Sequence, residues 1–532
     1  MSIALKWLRL YNLKMGFDFI KKRFVLAAFG LAFFFVPGAG FSDEMAPGSD
    51  SAVARFQSAV DTIFSQSCPD GLRVGAKFYS LDRKEVLYAR NSDLLFTPAS
   101  NMKMFTSAMA LKKVGPDYRF HTHLYAVGRI EGTVLKGDLY IKGFGDPSLV
   151  TEQMWILVNE LRNLPITKIE GNIIADNSYF NGQGKLKSWE SYRGPEAYLA
   201  PIGALSFNFN TVVVYVEPGK KPGDRPTVVI DPDIEYFRVK NRAVTTRNKR
   251  SRRKLIVNRL GHKGYDEIII KGRLPKNVAR KKFYLNVTDP QRYTAITFKR
   301  FLQQAGVRVT GKVQRGVVPQ GATQLVDHES PPLGQILRGL NKFSNNFIAE
   351  QILKTLAAQF IGEPGTTENG VLLLQDYMQE LGFYPEQYHM VDGSGLSKTN
   401  QVTPDQVISL LKDAHDDLSI FPEFISALGV MGLDGSVIDR MDHQKEAQKI
   451  RVKTGTLNHV SALSGYYQSN DGERFAFSIL LNDVKCSNGK AMGLQDKIME
   501  TALKFQRDKN GDEAVEEDEP QIQYGGGILK QD

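Results

Sequence analysis

One lysine enclosed in an apolar helical run constrains this chain more than anything else in it. The run opens at Ser100, passes through Met102, Lys103, Met104 and Phe105, and continues over Ala108–Leu111. Pro98 ahead and Gly115-Pro116 behind are helix boundary signals. Because the run is apolar nearly all round, the helix must be a buried one rather than a surface one. Ser100 in its first turn and Lys103 three positions on share a face. A lysine held in apolar surroundings loses proton affinity, so its amine can take the proton of Ser100 and make a nucleophile. Backbone N–H groups at the helix start are left to polarise a carbonyl.

The S-x-x-K pattern alone is weak evidence, because it recurs at Ser251/Lys254, Ser409/Lys412 and Ser487/Lys490. Its plain reading is a capping serine beside a solvated lysine. The first copy stands apart through its buried helix and its downstream company. Ser344-Asn345-Asn346 lies at a polar break between two apolar helical stretches, where the plain reading is capping. Lys453-Thr454-Gly455 ends a strand and is the chain's one K-T-G.

A length of 532 residues exceeds one compact core and predicts two or three domains. With 42% hydrophobic and 24% charged residues, the composition is that of an ordinary globular protein. The formal net charge of +10 fits a wall polymer, an anionic membrane surface or nucleic acid as partner. Lys21-Lys22-Arg23, an apolar run over Phe24–Val36 and small residues to Ser42 read as a cleaved export signal spanning 1–42. The apolar run is too short for a stable membrane span. Periplasmic export is therefore expected.

The pattern then predicts an amphipathic helix around Val53–Phe64, a hairpin of Arg73–Leu81 and Glu85–Ala89, and the Ser100 helix. From about 120 to 328 it changes to short strands, among them Thr133–Ile141, Lys168–Ile174, Thr211–Val216 and Glu267–Ile270. Helices are expected near Glu152–Leu161 and Tyr293–Ala305. Helical pattern returns at Leu333–Leu340. A meander of Ile450–Gly455, Val460–Gln468 and Phe475–Leu481 follows, then a helix over Met492–Phe505. Residues 507–532, acidic and then glycine-rich, read as a disordered tail.

Within the strand-rich region, Arg238–Lys254 holds nine Lys or Arg among 17 residues and no acid. A solvated loop is the plain reading, and an anionic wall polymer is the candidate partner. Nucleic acid is not expected, since no aromatic-interleaved module accompanies the run. Asp413-Ala414-His415-Asp416-Asp417 reads as a solvated acidic helix face, not a metal site. Gly143–Pro147 reads as a structural turn.

The ordered set Ser100-x-x-Lys103, Ser344-x-Asn346 and Lys453-Thr454-Gly455 is of the type found in penicillin-recognising serine enzymes. About 240 residues separate Ser100 from Ser344, room for inserted domains that a class A β-lactamase lacks. The chain resembles the D-alanyl-D-alanine carboxypeptidase/endopeptidase family of penicillin-binding protein 4 type (class C, low molecular mass, peptidase family S13). Gly143–Leu149, Ala200–Leu205, Asn341–Asn346, Asp392–Ser397 and Lys453–Leu457 carry the likeness.

The resemblance implies an α/β (α+β) fold: a transpeptidase/β-lactamase-like domain with a five-stranded antiparallel sheet, helices on both sides and two inserted, mainly β domains. The partition it implies is 43–119 and 329–506 for the first domain, 120–216 with 285–328 for one insert, and 217–284 for the other. It implies Ser100 as nucleophile, Lys103 as base, Ser344 as proton relay, Asn346 beside the scissile bond and Lys453 on the edge strand. Thr454, Gly455 and Thr456 would bind substrate, and the N–H groups of Ser100 and Thr456 would form the oxyanion hole. Stem peptides of peptidoglycan would be substrates and β-lactams inhibitors, with no metal or cofactor needed. A β-lactamase or esterase on the same fold, a non-catalytic wall-binding protein and an exported polyanion-binding protein remain as alternatives. In the implied sheet order Cys68 and Cys486 meet at one sheet edge, where an exported protein would keep them bridged.

Overall fold

The computed structural model describes residues 51–66, 71–182, 184–189, 192–247 and 254–508. The expected export signal, Cys68, residues 248–253 of the basic stretch and the tail from 509 onward lie outside the described residues.

In chain order, helix α1 (Ser51–Ser65) leads to strands β1 (Arg73–Ser80) and β2 (Glu85–Arg90) and then to α2 (Met102–Val114). β3 (His121–Glu131) and β4 (Val134–Gly143) open a long excursion that returns through β5 (Thr323–Glu329). Next come α3 (Leu333–Lys342), α4 (Asn346–Phe360) and α5 (Pro404–Asp416). The chain closes with the short β6 (Gly429–Val430), β7 (Ile450–Leu457), β8 (Val460–Gln468), β9 (Arg474–Asn482) and α6 (Asn488–Leu503).

The main sheet has the order β6-β7-β8-β9-β1-β2, antiparallel throughout. It has six strands where five were expected. β6 pairs only Gly429 with Val452 and Val430 with Arg451, and two residues leave no periodic trace in a sequence. β7 is therefore not quite an edge strand. Its outer side is covered up to Val452 and carries no strand pairing from Lys453 onward among the described residues.

Both faces of this sheet are covered, which is why Phe475–Leu481 reads as a continuous apolar run. Phe477, Ile479 and Leu481 pack with Phe56 of α1 and Leu494 and Ile498 of α6. The alternate residues Ala476 and Leu480 join the core of α2, α3, α4 and α5. Fully burying a side chain the size of Leu480 or Phe477 contributes about 1.5–3 kcal/mol. α2 sits at the centre of the second core, with every residue from Met102 to Leu111 buried.

The excursion has its own cores. β4 and β5 flank β3 in its largest sheet. Two three-stranded sheets stand within it, one of Phe237–Asn241, Ile256–His262 and Tyr265–Lys271, the other of Thr211–Glu217, Thr227–Asp231 and Lys281–Asn286. The expected single strand Lys168–Ile174 is two, Lys168–Ile169 and Ile173–Asp176. Between them Gly171 lies so close to Gly137 that a Cβ would stand 2.0 Å from its carbonyl oxygen. The break falls at this close approach. No described helix is long and apolar enough to cross a membrane.

Candidate active site

Ser100 does not sit in α2 itself but in a single 3-10 turn, Ala99–Asn101, that feeds it. Ala99 has φ +48°, a left-handed conformation that costs a non-glycine residue about 1–3 kcal/mol. Neighbouring elements hold the turn in place. The Asn101 amide donates to Ser464 Oγ of β8 at 2.7 Å, and Ser464 Oγ donates to Ser478 Oγ of β9 at 3.0 Å. Gly455 of β7 lies against the turn, where a Cβ would come 2.6 Å from the Pro98 carbonyl oxygen. Gly395 meets it from the other side at φ +74°, and a Cβ there would stand 1.8 Å from the Ala99 carbonyl oxygen. These two glycines are required by backbone contact, not by chemistry.

Lys103 is fully buried beneath the turn. Its Nζ lies 2.9 Å from Ser100 Oγ, 2.7 Å from Asn346 Oδ1 and 2.5 Å from the Ser394 carbonyl oxygen. Burial pushes its pKa down to about 7, against the pull of the Asp392 and Glu350 carboxyls. Near neutrality a large fraction of this amine therefore carries a free lone pair. The second lysine mirrors the first. Lys453 Nζ is 2.9 Å from Ser344 Oγ and donates to the Thr454 carbonyl at 2.8 Å. Burial and the nearby Lys103 hold its pKa well below the ordinary lysine value.

Ser344 joins α3 to α4 at φ +54°, a second strained non-glycine residue in the site. Asn345 caps α4 by accepting from the Ile348 amide at 3.3 Å, and the Asn346 amide donates to the Tyr198 carbonyl at 3.1 Å. Thr454 Oγ1 lies 2.7 Å from Ser436 Oγ. A cavity of about 780 Å³ opens above these groups, and Ser100, Ser344, Asn346, Thr456, Tyr192 and Tyr198 contribute to its walls. The structure thus brings together Ser100, Lys103, Ser344, Asn346, Lys453, Thr454, Gly455 and Thr456. Cys486 is disulfide-bonded, and the chain's one other cysteine, Cys68, is outside the described residues.

Sequence reasoning missed the support beneath Lys103. Glu350, one turn after Asn346 on α4 and fully buried, accepts from the Gly393 amide at 3.0 Å and the Ser394 amide at 2.9 Å. Burial, with the Asp392 charge adding to it, raises its pKa to about 8. Asp392 accepts from the Gly395 amide at 2.7 Å, the Ser397 amide at 3.0 Å and Trp189 Nε1 at 3.0 Å. The loop whose Ser394 carbonyl holds Lys103 is thereby fixed by two buried acids. The available signal was a lone glutamate in an apolar helical run. The acidic patch of α5 also differs from its reading as a solvated face. Lys112 of α2 pairs with Asp413 at 3.1 Å and Asp417 at 3.0 Å, and Tyr377 Oη donates to Asp413 at 2.8 Å. Two of its acids therefore dock α5 onto α2.

Residues 56–503 match the D-Ala-D-Ala carboxypeptidase 3 (S13) family. The D-alanyl-D-alanine carboxypeptidase of Actinomadura sp. (strain R39) is 32% identical over 473 residues, covering 86% of this chain and 86% of that relative. D-alanyl-D-alanine carboxypeptidase DacB of Haemophilus influenzae is 26% identical over 423 residues, 79% of this chain and 87% of its own. The solved structure of penicillin binding protein 4 from Haemophilus influenzae superposes with a TM-score of 0.73 at 22% identity. It covers 84% of this chain and 99% of its own, and that likeness shows the fold. The same protein complexed with a β-lactam superposes with a TM-score of 0.69 at 23% identity, over 84% of this chain and 99% of its own.

Proposed function

The chain belongs to the D-Ala-D-Ala carboxypeptidase (S13) family, and from that premise we propose that it hydrolyses D-Ala-D-Ala termini of peptidoglycan through an acyl-enzyme on Ser100. The observation that carries this reading is the fully buried Lys103, its Nζ 2.9 Å from Ser100 Oγ. Lys103 takes the Ser100 proton as Oγ attacks the carbonyl carbon of the penultimate D-Ala. The N–H groups of Ser100 and Thr456 receive the negative charge that develops on the carbonyl oxygen. As the C–N bond breaks, Ser344 relays a proton to the leaving amine, supported by Lys453 Nζ at 2.9 Å. Asn346 steadies Lys103 and borders the scissile bond. Thr454 and Thr456 bind the terminal carboxylate, and Gly455 lets their strand approach the nucleophile. Water then cleaves the ester, and Ser100 is restored.

The family resemblance extends the reading to D-Ala–diaminopimelate cross-links, with β-lactams as acylating inhibitors. Residues 1–42 would direct export to the periplasm, where these substrates lie. A disulfide between Cys68 and Cys486 would persist there. Separate cores support two modules inserted between α2 and α3. The basic stretch binds an anionic wall polymer, supported by a cavity that Arg242, Lys254, Lys271 and Arg273 line.

The test is penicillin labelling with mass mapping, together with release of D-Ala from a stem pentapeptide. An adduct on Ser100, lost with D-Ala release in Ser100→Ala, is expected. An adduct on Ser409 or Ser487 would overturn the assignment. Digestion of purified peptidoglycan with mass analysis of the fragments reads the cross-link activity.

A further inference from the structure

The excursion leaves and rejoins the catalytic part through a neck of two adjacent chain segments. Gly334 and Leu333 donate backbone N–H groups to the carbonyls of Pro116 and Tyr118 at 2.9 and 2.8 Å. Ser330 donates to the Phe120 carbonyl at 2.8 Å. Directly beyond, β3 and β5 run antiparallel with His123 opposite Asp327 and His121 opposite Glu329. His121 and His123 are two apart on one strand, so both side chains stand on one face. Asp327 stands opposite one and diagonal to the other.

We infer that His121, His123 and Asp327 form a divalent-metal site, of zinc type, that clasps this neck. His121 Nδ1 and His123 Nε2 lie 2.7 and 2.9 Å from the same Asp327 Oδ1. The three ligand atoms all fall within 4.8 Å of one another. A tetrahedral zinc ion with Zn–N and Zn–O bonds of about 2.0–2.2 Å needs ligand atoms roughly 3.3 Å apart. Side-chain adjustments of less than two ångströms reach that from here, with the fourth position left to water.

A second observation points the same way. His123 Nδ1 lies 2.8 Å from Tyr125 Oη. A proton held on Nδ1 by that partner leaves a lone pair on Nε2, the outer-shell arrangement that fixes a ligating histidine. Nε2 is buried and, though close to Asp327, outside hydrogen-bond alignment. With the proton on Nδ1, Nε2 and the Asp327 carboxylate face each other as two acceptors, and a cation between them would satisfy both. The neighbouring strand supplies an opponent. Lys142 lies directly across β4 from His123, and its Nζ stands 4.9 Å from the Phe144 ring centre. A metal ion must outbid that ammonium or displace it toward water.

The site goes beyond the proposed hydrolysis, takes no part in it and tests separately. The full chain, purified without a histidine tag and stripped by a chelator, is titrated with Zn²⁺ against a chromophoric chelator. A parallel titration uses Co²⁺ followed by visible absorption. One equivalent of zinc, tetrahedral cobalt bands and a zinc-dependent rise in thermal midpoint are expected. His121→Ala and Asp327→Asn, both at partly exposed positions, should weaken zinc binding at least about tenfold and abolish the bands. Tyr125→Phe keeps all three ligands and should weaken binding roughly tenfold through the outer shell. Lys142→Ala should tighten it. Penicillin labelling of Ser100 should be the same with and without zinc. Failure of the unaltered chain to bind stoichiometric zinc would overturn the site, as would binding that persists unchanged in both His121→Ala and Asp327→Asn.

Discussion

Two groups of basic side chains, one in the catalytic cleft and one on the excursion, show how surroundings decide what a cation does. Lys103 and Lys453 are wholly buried, their Nζ atoms each 2.9 Å from a serine hydroxyl, and desolvation lowers the proton affinity of both. Arg242, Lys254, Lys271 and Arg273 are exposed around an open cavity of about 670 Å³. None of the four belongs to an ion pair among the described residues. In the cleft the loss of water lowers proton affinity, the condition a base requires. On the excursion water keeps the charge and screens it, so those side chains contribute long-range attraction at low salt and little else.

The largest effect expected from this contrast is at Lys103. Lys103→Arg keeps the charge and removes the proposed base, since guanidinium does not deprotonate. Acylation by a fluorescent penicillin should fall at least about a hundredfold. A near-normal rate would show that burial had not made Lys103 the base.

Glu350 tests the scaffold that keeps the cleft lysine dry. Glu350→Ala leaves the Gly393 and Ser394 amides buried without an acceptor, costing about 2 kcal/mol or more. The thermal midpoint and the denaturant midpoint should both drop, while Glu350→Gln, which retains the acceptor oxygen, stays near the parent. Equal losses in the two variants would mean that the acceptor oxygen is not what holds the loop.

The pH profile comes next in size. As the proposed base, Lys103 would act only when neutral, and burial lowers its pKa to about 7. Acylation should therefore rise with pH through neutrality and fall roughly fivefold between pH 7 and pH 6, as the neutral fraction drops. A profile flat over pH 6–8 would contradict the assignment. The smallest effect belongs to the surface set. Replacing Arg242, Lys271 and Arg273 together by Ala should change acylation less than about twofold and stability by about 0.5 kcal/mol or less. Retention on an anionic polymer should nevertheless weaken at low salt. A large loss of acylation in that variant would erase the distinction between the two regions.

Much of the cleft was legible in the residue order. The apolar run around Lys103, the single K-T-G and the Ser344–Asn346 break each carry a local signal, because helix and strand periodicities are short-range. The meander's strands fall within a residue or two of their expected places at Ile450–Leu457 and Arg474–Asn482, the second of which is buried on both faces and reads as one apolar run. Gly171, β6 and the docking of α5 through Lys112 were not legible. Each depends on a partner distant in sequence, and nothing in the local pattern marks it.

The sequence by itself determined that one lysine must be enclosed beside one serine, because an apolar helix has to be buried wherever its charge goes. Tertiary structure alone decided what surrounds that pair. It placed Ser100 in a strained turn rather than a helix, fixed the Lys103-binding loop by Glu350 and Asp392, and set Asp327 against histidines about 200 residues earlier. The reason is physical. Burial follows from a residue's immediate neighbours along the chain, whereas register between distant strands and the geometry of a close approach emerge only when the whole core packs.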